Sequence, residues 1–313
     1  MQRLLLLCII LFPILSGCYL YYFDLNWQLE NLAAFIVFIP ACYLIFTIVL
    51  IIIKQTSAAM MAAVLSVISL VLFGTTPQFI TSDGCDENYV SVMQYNTYYD
   101  NQQLGNFIDF VRERRPDILV LQEVSPQHGE QLKLLKDLYP YQYGGQRRVG
   151  YPSGQMILSR APLYGMNTTT SISGHNIIQV VWRASNERDL FLIAAHPPSP
   201  RSELLWRERN EVIEDVVDMA QASPLDVTIV VGDFNLASTT KRFNKILPSF
   251  DKQPVASWPK FIKRWSIPFV PVVAIDHFWI RRVGGSQNTI CFRESLKQIQ
   301  GSDHVPVETR FKL

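Results

Sequence analysis

Val230-Val231-Gly232-Asp233-Phe234-Asn235 is the stretch of this sequence that says most about its fold. Its first two residues end an apolar run typical of a buried strand, and the glycine that follows lets the backbone turn sharply. Asp233 and Asn235 are two residues apart, so their side chains lie on one side of an extended segment. The pattern predicts a strand that delivers a carboxylate and an amide to the rim of a sheet. The alternative interpretation is an ordinary turn.

Polar side chains follow other short apolar runs in the same way. Asn96 comes directly after Tyr89–Tyr95, Glu123 after Asp117–Gln122, and His196 after a further apolar run. The remaining groups belong to two Asp-His pairs, Asp276-His277 and Asp303-His304. Carboxylates, amides and imidazoles gathered at strand ends are the groups needed for metal-assisted attack on a phosphate ester.

Each of these residues also has a structural interpretation. Glu123 can pair with a cation at the rim of the sheet, Asn96 can cap a turn, and a lone histidine is more often structural than functional. His277 is expected to be structural or supporting, because alternation along a strand turns its ring away from the preceding aspartate. His128 and His175 have only loop context, and we expect both at the surface.

The sequence from Tyr89 onward alternates strand and helix patterns. Strands are predicted at Tyr89–Tyr95, Asp117–Gln122, Gln155–Leu158, Ile177–Arg183, Leu190–Ala195, Val227–Val231, Val272–Ile280, Thr289–Phe292 and Val305–Phe311. Helices are predicted around Leu104–Val111 and at Gln127–Leu138, Arg201–Gln221 and Ser238–Ile246. So many strands with few helices exceed one doubly wound sheet. We therefore predict an α/β fold in which two packed sheets are flanked by helices. Gln253–Pro271 is expected to form a long irregular loop.

Length and charge limit the class of protein. The 313 residues allow one or two domains, and the formal net charge of +1 gives no global basic field of the kind that attracts nucleic acid. The first eighty residues carry only four charges, on Arg3, Asp24, Glu30 and Lys54. The chain is therefore predicted to divide into a membrane segment, residues 1–80, and a soluble domain, residues 81–313.

Three apolar runs in the membrane segment are long enough to suggest helices that cross a bilayer. They are Leu4–Phe23, Leu32–Ile53 and Ala58–Phe73. A hydrocarbon core is about 30 Å thick, which an apolar helix of roughly twenty residues spans. The loop between the first two runs is acidic, whereas Arg3 and Lys54 flank the opposite side. The excess of positive residues on cytoplasmic loops then predicts a cytoplasmic N-terminus and a soluble domain outside the cytoplasm.

Cysteines leave two questions open. Leu15-Ser16-Gly17-Cys18 matches a bacterial lipoprotein cleavage box, which would lipidate Cys18, but the apolar run continues through Phe23 as a spanning helix would. In the soluble domain, Cys85 and Cys291 are compatible either with a disulfide or with two unrelated buried thiols.

Seven motifs together resemble the endonuclease/exonuclease/phosphatase superfamily, which includes deoxyribonuclease I, and its membrane-anchored bacterial branch in particular. In chain order they are Met93-Gln94-Tyr95-Asn96, Leu121-Gln122-Glu123, Ile157-Leu158-Ser159-Arg160, His196-Pro197-Pro198, Gly232-Asp233-Phe234-Asn235, Ile275-Asp276-His277 and Ser302-Asp303-His304. The resemblance covers about residues 88–313 and implies a four-layer sandwich of two mixed β-sheets. It also implies a bacterial cell-membrane protein with a bilayer-spanning N-terminal segment.

The resemblance implies a role for each group. Glu123 would bind Mg²⁺, or Mn²⁺, with Asn96 and Asp303 as further metal residues nearby. Asp233 would orient or deprotonate the attacking water, and Asn235 would position that water and the phosphate. His196, and His304 held by Asp276, would stabilise charge on the phosphoryl oxygens. Whether Asp233 or His304 is the general base stays open.

The expected function is that of a membrane-anchored, metal-dependent phosphoesterase. Its substrate would be a nucleic acid or, alternatively, a phospholipid or inositol phosphate. Arg147-Arg148 and Trp258–Trp265 are candidates for a nucleic-acid groove. A catalytically silent binding module would require the loss of an acid or histidine from the motifs that carry one, and none of these residues is missing.

Overall fold

The computed structural model describes residues 2–81, 85, 89–145, 154–184, 188–262, 267–284 and 289–313. Its helices are α1 Gln2–Tyr22, α2 Trp27–Ala33, α3 Ile39–Ile52, α4 Thr56–Phe73, α5 Leu104–Arg114, α6 Pro126–Leu132, α7 Glu203–Gln221 and α8 Lys241–Lys245. Its strands are β1 Gln78–Ile80, β2 Tyr89–Asn96, β3 Ile118–Gln122, β4 Tyr141–Gly144, β5 Met156–Ser159, β6 Leu163–Thr170, β7 Asn176–Ala184, β8 Arg188–Ala195, β9 Val227–Asp233, β10 Asp251–Lys252, β11 Phe261–Ile262, β12 Ile267–Pro268, β13 Asp276–Arg282, β14 Ile290–Ser295 and β15 Val307–Lys312. Contacts divide the chain into two compact units.

The first unit comprises Met1–Thr75 together with Leu236–Ile246. Three stretches of its helices are long and apolar enough to cross a membrane, namely Leu4–Tyr22, Trp27–Ile52 and Thr56–Phe73. The Tyr43 hydroxyl donates to the Ile10 carbonyl (2.6 Å) and accepts from the Ile14 amide (3.1 Å), so it is inserted between two backbone groups that would pair in a regular helix. This contact ties α3 to α1 beside Pro13.

The segment Leu236–Ile246 is held in the first unit by polar contacts. Thr239 Oγ1 donates to the Ala33 carbonyl at 2.7 Å. Arg242 Nε lies 2.9 Å from the buried Glu30 carboxylate, and two lysines of the segment, Lys241 and Lys245, reach Asp24 at 3.0 and 2.8 Å. Residues that follow β9 in the chain are therefore bound by the loop and short helix between α1 and α3.

The second unit, Thr76–Asn235 with Leu247–Leu313, is built on two mixed sheets. The first has the strand order β1-β14-β15-β2-β3-β5-β4, and the second β10-β13-β9-β8-β7-β6. Pairs β2/β3 and β8/β9 are parallel, and the other pairs within these two sheets are antiparallel.

Apolar side chains from both sheets form the core between them. Val92 and Val120 from the first sheet belong to one buried cluster with Ile178 and Val231 from the second. A second cluster joins the outer face of the first sheet to α5 and α6, and α7 packs on β8 and β9. Each large apolar side chain buried in this way contributes about 1.5–3 kcal/mol. The predicted α/β four-layer sandwich, preceded by apolar helices, is confirmed.

Several elements differ from the expectations. Residues 78–80, which the sequence assigned to the membrane segment, pair with β14, so the contact boundary falls after Thr75. Strand β6 was not predicted, because its sequence Leu-Tyr-Gly-Met-Asn-Thr-Thr-Thr lacks an apolar alternation and it lies at a sheet edge. The predicted helix Ser238–Ile246 is reduced to Lys241–Lys245.

A disulfide joins Cys85 to Cys291, with their Cα atoms 5.3 Å apart. It links the start of the second unit to β14 across 206 residues of sequence. The pairing that the sequence left open is therefore present in the structure.

Candidate active site

The strand ends of the two sheets bring the polar groups together. Asn96 ends β2 and Asp233 ends β9, while Glu123 and His196 directly follow β3 and β8. Strand β13 runs antiparallel to β9 and begins with Asp276, which is the register partner of Asp233. One edge of the sandwich therefore carries carboxylates from both sheets.

Gly232 makes the close approach of β9 to β8 possible. Its φ is +152°, and a Cβ atom at this position would overlap the Ala195 carbonyl oxygen. Any other residue would therefore push the two strands apart just before His196 and Asp233. The sequence predicted a sharp turn at this glycine, whereas Gly232 lies inside β9, where it pairs with His277 of β13.

Asn96 lies between two carboxylates. Its Nδ2 donates to Glu123 Oε1 at 3.0 Å and to Asp233 Oδ2 at 2.9 Å, and its Oδ1 accepts from the Tyr98 amide at 3.1 Å. His196 Nε2 approaches the same carboxylates, at 4.0 Å from Glu123 and 3.7 Å from Asp233. Four of the predicted residues thus form one contiguous group.

His304 and Asp276 form a buried pair next to this group. His304 Nδ1 lies 2.8 Å from Asp276 Oδ2, and its Nε2 lies 3.6 Å from Asp233 Oδ2. Ser302 fixes the loop that carries the histidine: its hydroxyl accepts from the His304 amide at 3.0 Å and donates to the Asn96 carbonyl at 2.8 Å. The imidazole is therefore oriented on one side and faces a carboxylate on the other.

Burial and neighbouring charges have opposing effects on the pKa values of Asp233, Asp276 and His304. Burial raises the pKa of Asp233, and nearby Asp276 adds to this, although His304 and His196 oppose it. Burial also disfavours the charged forms of Asp276 and His304, but the attraction between these two groups is stronger. The pKa of Asp276 is therefore lowered, and the pKa of His304 is raised to about 10.

Asn235 is held by its neighbours in a left-handed conformation, with φ of 49°. Its amide nitrogen donates to Asp233 Oδ1 at 2.9 Å, and its side-chain Nδ2 donates to the Pro197 carbonyl at 3.1 Å. The buried Arg209 of α7 donates to the Asn235 carbonyl at 3.1 Å. The turn after β9 is thereby fixed relative to the segment that follows His196.

Asp303 is buried in the same loop as His304. Its Oδ2 accepts from the Trp258 indole at 3.2 Å, and its carbonyl accepts from the Lys260 amide. Sequence reasoning did not single out Trp258 or Ser302 as partners of the site, because both contacts depend on loops that are distant in sequence.

A divalent cation fits the chemistry of these donors. Ligand atoms of Asp233, Asp276 and His304 lie within 4.8 Å of one another, and all three residues are buried. Asp276 Oδ1 has no hydrogen-bond partner among the described residues. Several carboxylates crowded at one buried site repel each other, and a cation would relieve this repulsion. The predicted metal residues Asn96, Glu123 and Asp303 are not members of this cluster. Asn96 and Glu123 adjoin it through Asp233, and Asp303 adjoins it through His304.

Two other histidines, His128 and His277, are buried. His128 is buried, with Nε2 2.9 Å from the Asn101 carbonyl, so the prediction that it lies at the surface was wrong: α6 turns it inward. His277 is buried against the rings of Phe234 and Trp279. The residues Arg147, Arg148 and Trp265, proposed for a nucleic-acid groove, lie outside the described residues.

Comparison with known proteins assigns the chain to a family. Residues 93–304 match the Endonuclease/Exonuclease/phosphatase family. An exodeoxyribonuclease of Bacillus subtilis (strain 168) is 22% identical over 240 residues, which are 65% of this chain and 91% of that protein.

Experimental structures share the fold. The D. rerio protein TDP2, crystallised with a single strand DNA product, gives a TM-score of 0.61 at 17% identity, covering 73% of this chain and 100% of that one. An endonuclease/exonuclease/phosphatase from Beutenbergia cavernae DSM 12333 gives 0.56 at 16% identity and covers 72% of each chain. Enzymes of the Endonuclease/Exonuclease/phosphatase family are hydrolases that act on phosphate esters. This chain belongs to the Endonuclease/Exonuclease/phosphatase family.

Proposed function

We propose that this protein is a membrane-anchored, Mg²⁺-dependent phosphodiesterase that cleaves nucleic acid. The observation that carries the proposal is the contiguous group formed by Glu123, Asn96, Asp233, His304 and Asp276. Such a group joins a cation-binding carboxylate, a candidate base and an oriented imidazole within one buried site.

The metal would be held by carboxylate and amide oxygens of the site. Glu123 is the principal ligand in this proposal, with Asn96, which is hydrogen-bonded to it, and Asp303 as further candidates, and the oxygen-rich set suits a hard cation such as Mg²⁺ or Mn²⁺. When bound, the cation would supply charge stabilisation at the phosphoryl oxygens. Asn96 then keeps Glu123 and Asp233 in fixed relative positions through its two donated hydrogen bonds.

Asp233 is the proposed general base. Its carboxylate is bonded by Asn96 and by the Asn235 amide, so its orientation is fixed before substrate arrives. A pKa raised by burial strengthens a carboxylate as a proton acceptor. Asn235, held at its Nδ2 by the Pro197 carbonyl, would position the attacking water and the phosphate.

His304 and His196 are the proposed stabilisers of charge on the phosphate. Asp276 holds the His304 ring through Nδ1, which leaves Nε2 facing the site near Asp233. His196, on the segment that follows β8, brings its Nε2 to 3.7 Å from the same Asp233 oxygen. Two imidazoles on a developing negative charge act as preorganised electrostatic stabilisation.

Nucleic acid is favoured as substrate by the relatives, one named an exodeoxyribonuclease and one crystallised with a DNA product. A phospholipid or inositol phosphate is the second candidate, favoured by the three apolar helices that would keep the site near headgroups.

We also propose that the catalytic unit lies outside the cytoplasm of a bacterial cell, anchored in the inner membrane. Within the first unit, Lys241 and Lys245 bind Asp24 in the loop after α1, so that loop lies on the same side as the segment following β9. The Cys85–Cys291 disulfide suits an oxidising compartment. Both observations agree with the positive residues Arg3 and Lys54 on the other side.

A substrate panel tests the proposal. The purified full-length protein in detergent and Mg²⁺ is assayed with single-stranded DNA, RNA, phospholipid vesicles and inositol phosphates, with Asp233→Asn as the matched control. We expect turnover of DNA or RNA that the control lacks. Turnover confined to phospholipid or inositol phosphate would replace the nucleic-acid assignment. Equal rates in wild type and control with every substrate would refute the site.

A further inference from the structure

A fully buried arginine lies between the two sheets below the candidate site. Arg293, on β14 of the first sheet, has no exposed surface. Its Nη2 donates to the Asp276 carbonyl at 2.8 Å and to Gln94 Oε1 at 3.1 Å, and its Nη1 donates to the Gln253 carbonyl at 3.0 Å. The guanidinium therefore connects the first sheet to the first residue of β13 in the second.

Gln94 extends this connection to β9. Its side chain is 1% exposed, and it lies on β2 two residues before Asn96. While its Oε1 accepts from Arg293, its Nε2 donates to the Gly232 carbonyl at 3.3 Å. Arg293 and Gln94 thus bind the backbone carbonyls of Asp276 on β13 and of Gly232 on β9, the residue before Asp276's register partner Asp233.

The charge of Arg293 needs an explanation beyond these hydrogen bonds. Removing a guanidinium from water is strongly unfavourable, and the three hydrogen-bond partners of Arg293 are neutral oxygens. Desolvation lowers the pKa of Arg293 to about 9, partly offset by Asp276, so the group is still a cation at neutral pH. A cation fixed here is hydrogen-bonded to the backbone of Asp276, a member of the cluster that also contains Asp233.

We propose that Arg293, with Gln94, is a positioning residue of the active site that sets both its geometry and its charge. The pair fixes the backbone at Asp276 and Gly232 across the space between the sheets, and the buried positive charge offsets repulsion among the carboxylates above it. This inference rests on the proposed phosphoesterase function, because it assigns these residues to the same site.

The geometric part and the electrostatic part of this proposal predict different results in three variants of the full-length protein. Arg293→Met removes both contributions, Arg293→Lys keeps the charge, and Gln94→Met breaks the link to Gly232 but leaves the charge. The readouts are kcat, KM and the affinity for Mn²⁺, measured directly by calorimetry without substrate.

We expect Arg293→Met to lower kcat at least about tenfold with KM little changed, and to tighten Mn²⁺ binding about three- to tenfold, because a repelling charge is lost. Gln94→Met should lower kcat while Mn²⁺ affinity stays at the wild-type value. Arg293→Lys should keep wild-type Mn²⁺ affinity and recover part of kcat. Arg310→Met is the matched control: Arg310 lies on the adjacent strand β15, bonded to Glu308, and its loss should change neither quantity.

Weaker or unchanged Mn²⁺ binding in Arg293→Met would overturn the electrostatic part, since loss of structure weakens binding rather than tightening it. A wild-type kcat in Gln94→Met would overturn the positioning part. If Arg293→Met does not fold, the Arg293→Lys and Gln94→Met comparisons decide: a lysine variant with altered Mn²⁺ affinity contradicts the charge argument. Should the wild type lack phosphoesterase activity, the proposed function fails, whereas the Mn²⁺ comparison still tests Arg293.

Discussion

At the scale of single residues, the site depends on one imidazole used through both of its nitrogens. His304 is held by Asp276 through Nδ1, and its Nε2 lies 3.6 Å from Asp233 Oδ2. Asp233 in turn is held by Asn96 and by the Asn235 amide. Removing either Asp233 or His304, the two proposed catalytic groups, should therefore affect chemistry more than folding.

Asp233→Asn and His304→Ala are expected to lower kcat at least about 10²-fold, the lower end of what a positioned acid or base contributes. Asp276→Asn should have a smaller effect, because Asp276 acts by orienting His304. Thermal unfolding should show no loss of stability in Asp233→Asn, since the substitution keeps the shape and removes a buried charge among other carboxylates. The measurements are steady-state kinetics and melting curves in detergent.

His175→Ala is the control for these variants. His175 is partly exposed and pairs with Glu208 on α7, and an exposed ion pair contributes little to stability. It should change neither kcat nor the melting temperature. Variants of Asp233 or His304 that lose activity only in proportion to their unfolded fraction would show that these residues are structural.

Residues that supply hydrogen bonds across the interior could not be predicted in the same way as those at strand ends. Asp233 was predictable because an apolar run and a glycine precede it. Arg293 and Gln94 lie within strands that read as ordinary apolar-polar mixtures, and their contact spans 199 residues of sequence. Only the packing of the two sheets brings them together.

At the scale of elements, apolar runs predicted most of the buried strands. Strands at the edges of the sheets, and the packing of the segment Leu236–Ile246 in the first unit, were not predicted. Strand β4 carries few apolar residues and lies at the end of the first sheet. The segment Leu236–Ile246 has a helical pattern, but nothing in its own sequence indicates that it packs with the candidate membrane-spanning helices. That assignment depends on charges more than 200 residues away, on Asp24 and Glu30.

The contact between Glu30 and Arg242 gives a prediction for this segment. Glu30 is buried, so Arg242→Gln should lower the melting temperature by several degrees, because a buried carboxylate loses its Arg242 partner. The charge exchange Glu30→Arg with Arg242→Glu should recover part of the loss. Melting of the full-length protein in detergent measures both.

Arg207→Gln is the matched control, since Arg207 pairs with Glu203 on the exposed face of α7. If Arg242→Gln melts like this control, or if the exchange is no better than the single variant, then Leu236–Ile246 is not held by this ion pair.

At the scale of the whole molecule, the chain combines a candidate membrane anchor with a hydrolase unit. The three apolar helices, the Asp24 contacts and the disulfide support one proposed orientation. Positive residues on one side and an acidic loop on the other allowed this orientation to be predicted from the sequence, whereas the Asp24 contacts required the fold.

The orientation can be tested with a reporter that is active only outside the cytoplasm. Fused after Leu313, this reporter should be active in bacterial cells. A matched fusion after Lys54, between α3 and α4, should be inactive, because it would lie on the opposite side of the membrane. The reverse pattern would overturn the orientation, and Cys85 and Cys291 would then be expected as thiols in the cell.

The most direct test of the central claim is the metal dependence of phosphodiester cleavage by the full-length protein and by Glu123→Gln. The proposed oxygen-rich site predicts that EDTA abolishes cleavage of single-stranded DNA and that Mg²⁺ or Mn²⁺ restores it. Glu123→Gln should need at least about tenfold more Mg²⁺ for half-maximal activity, since it loses a charged ligand. Full cleavage in EDTA, or an unchanged Mg²⁺ requirement in Glu123→Gln, would contradict the account.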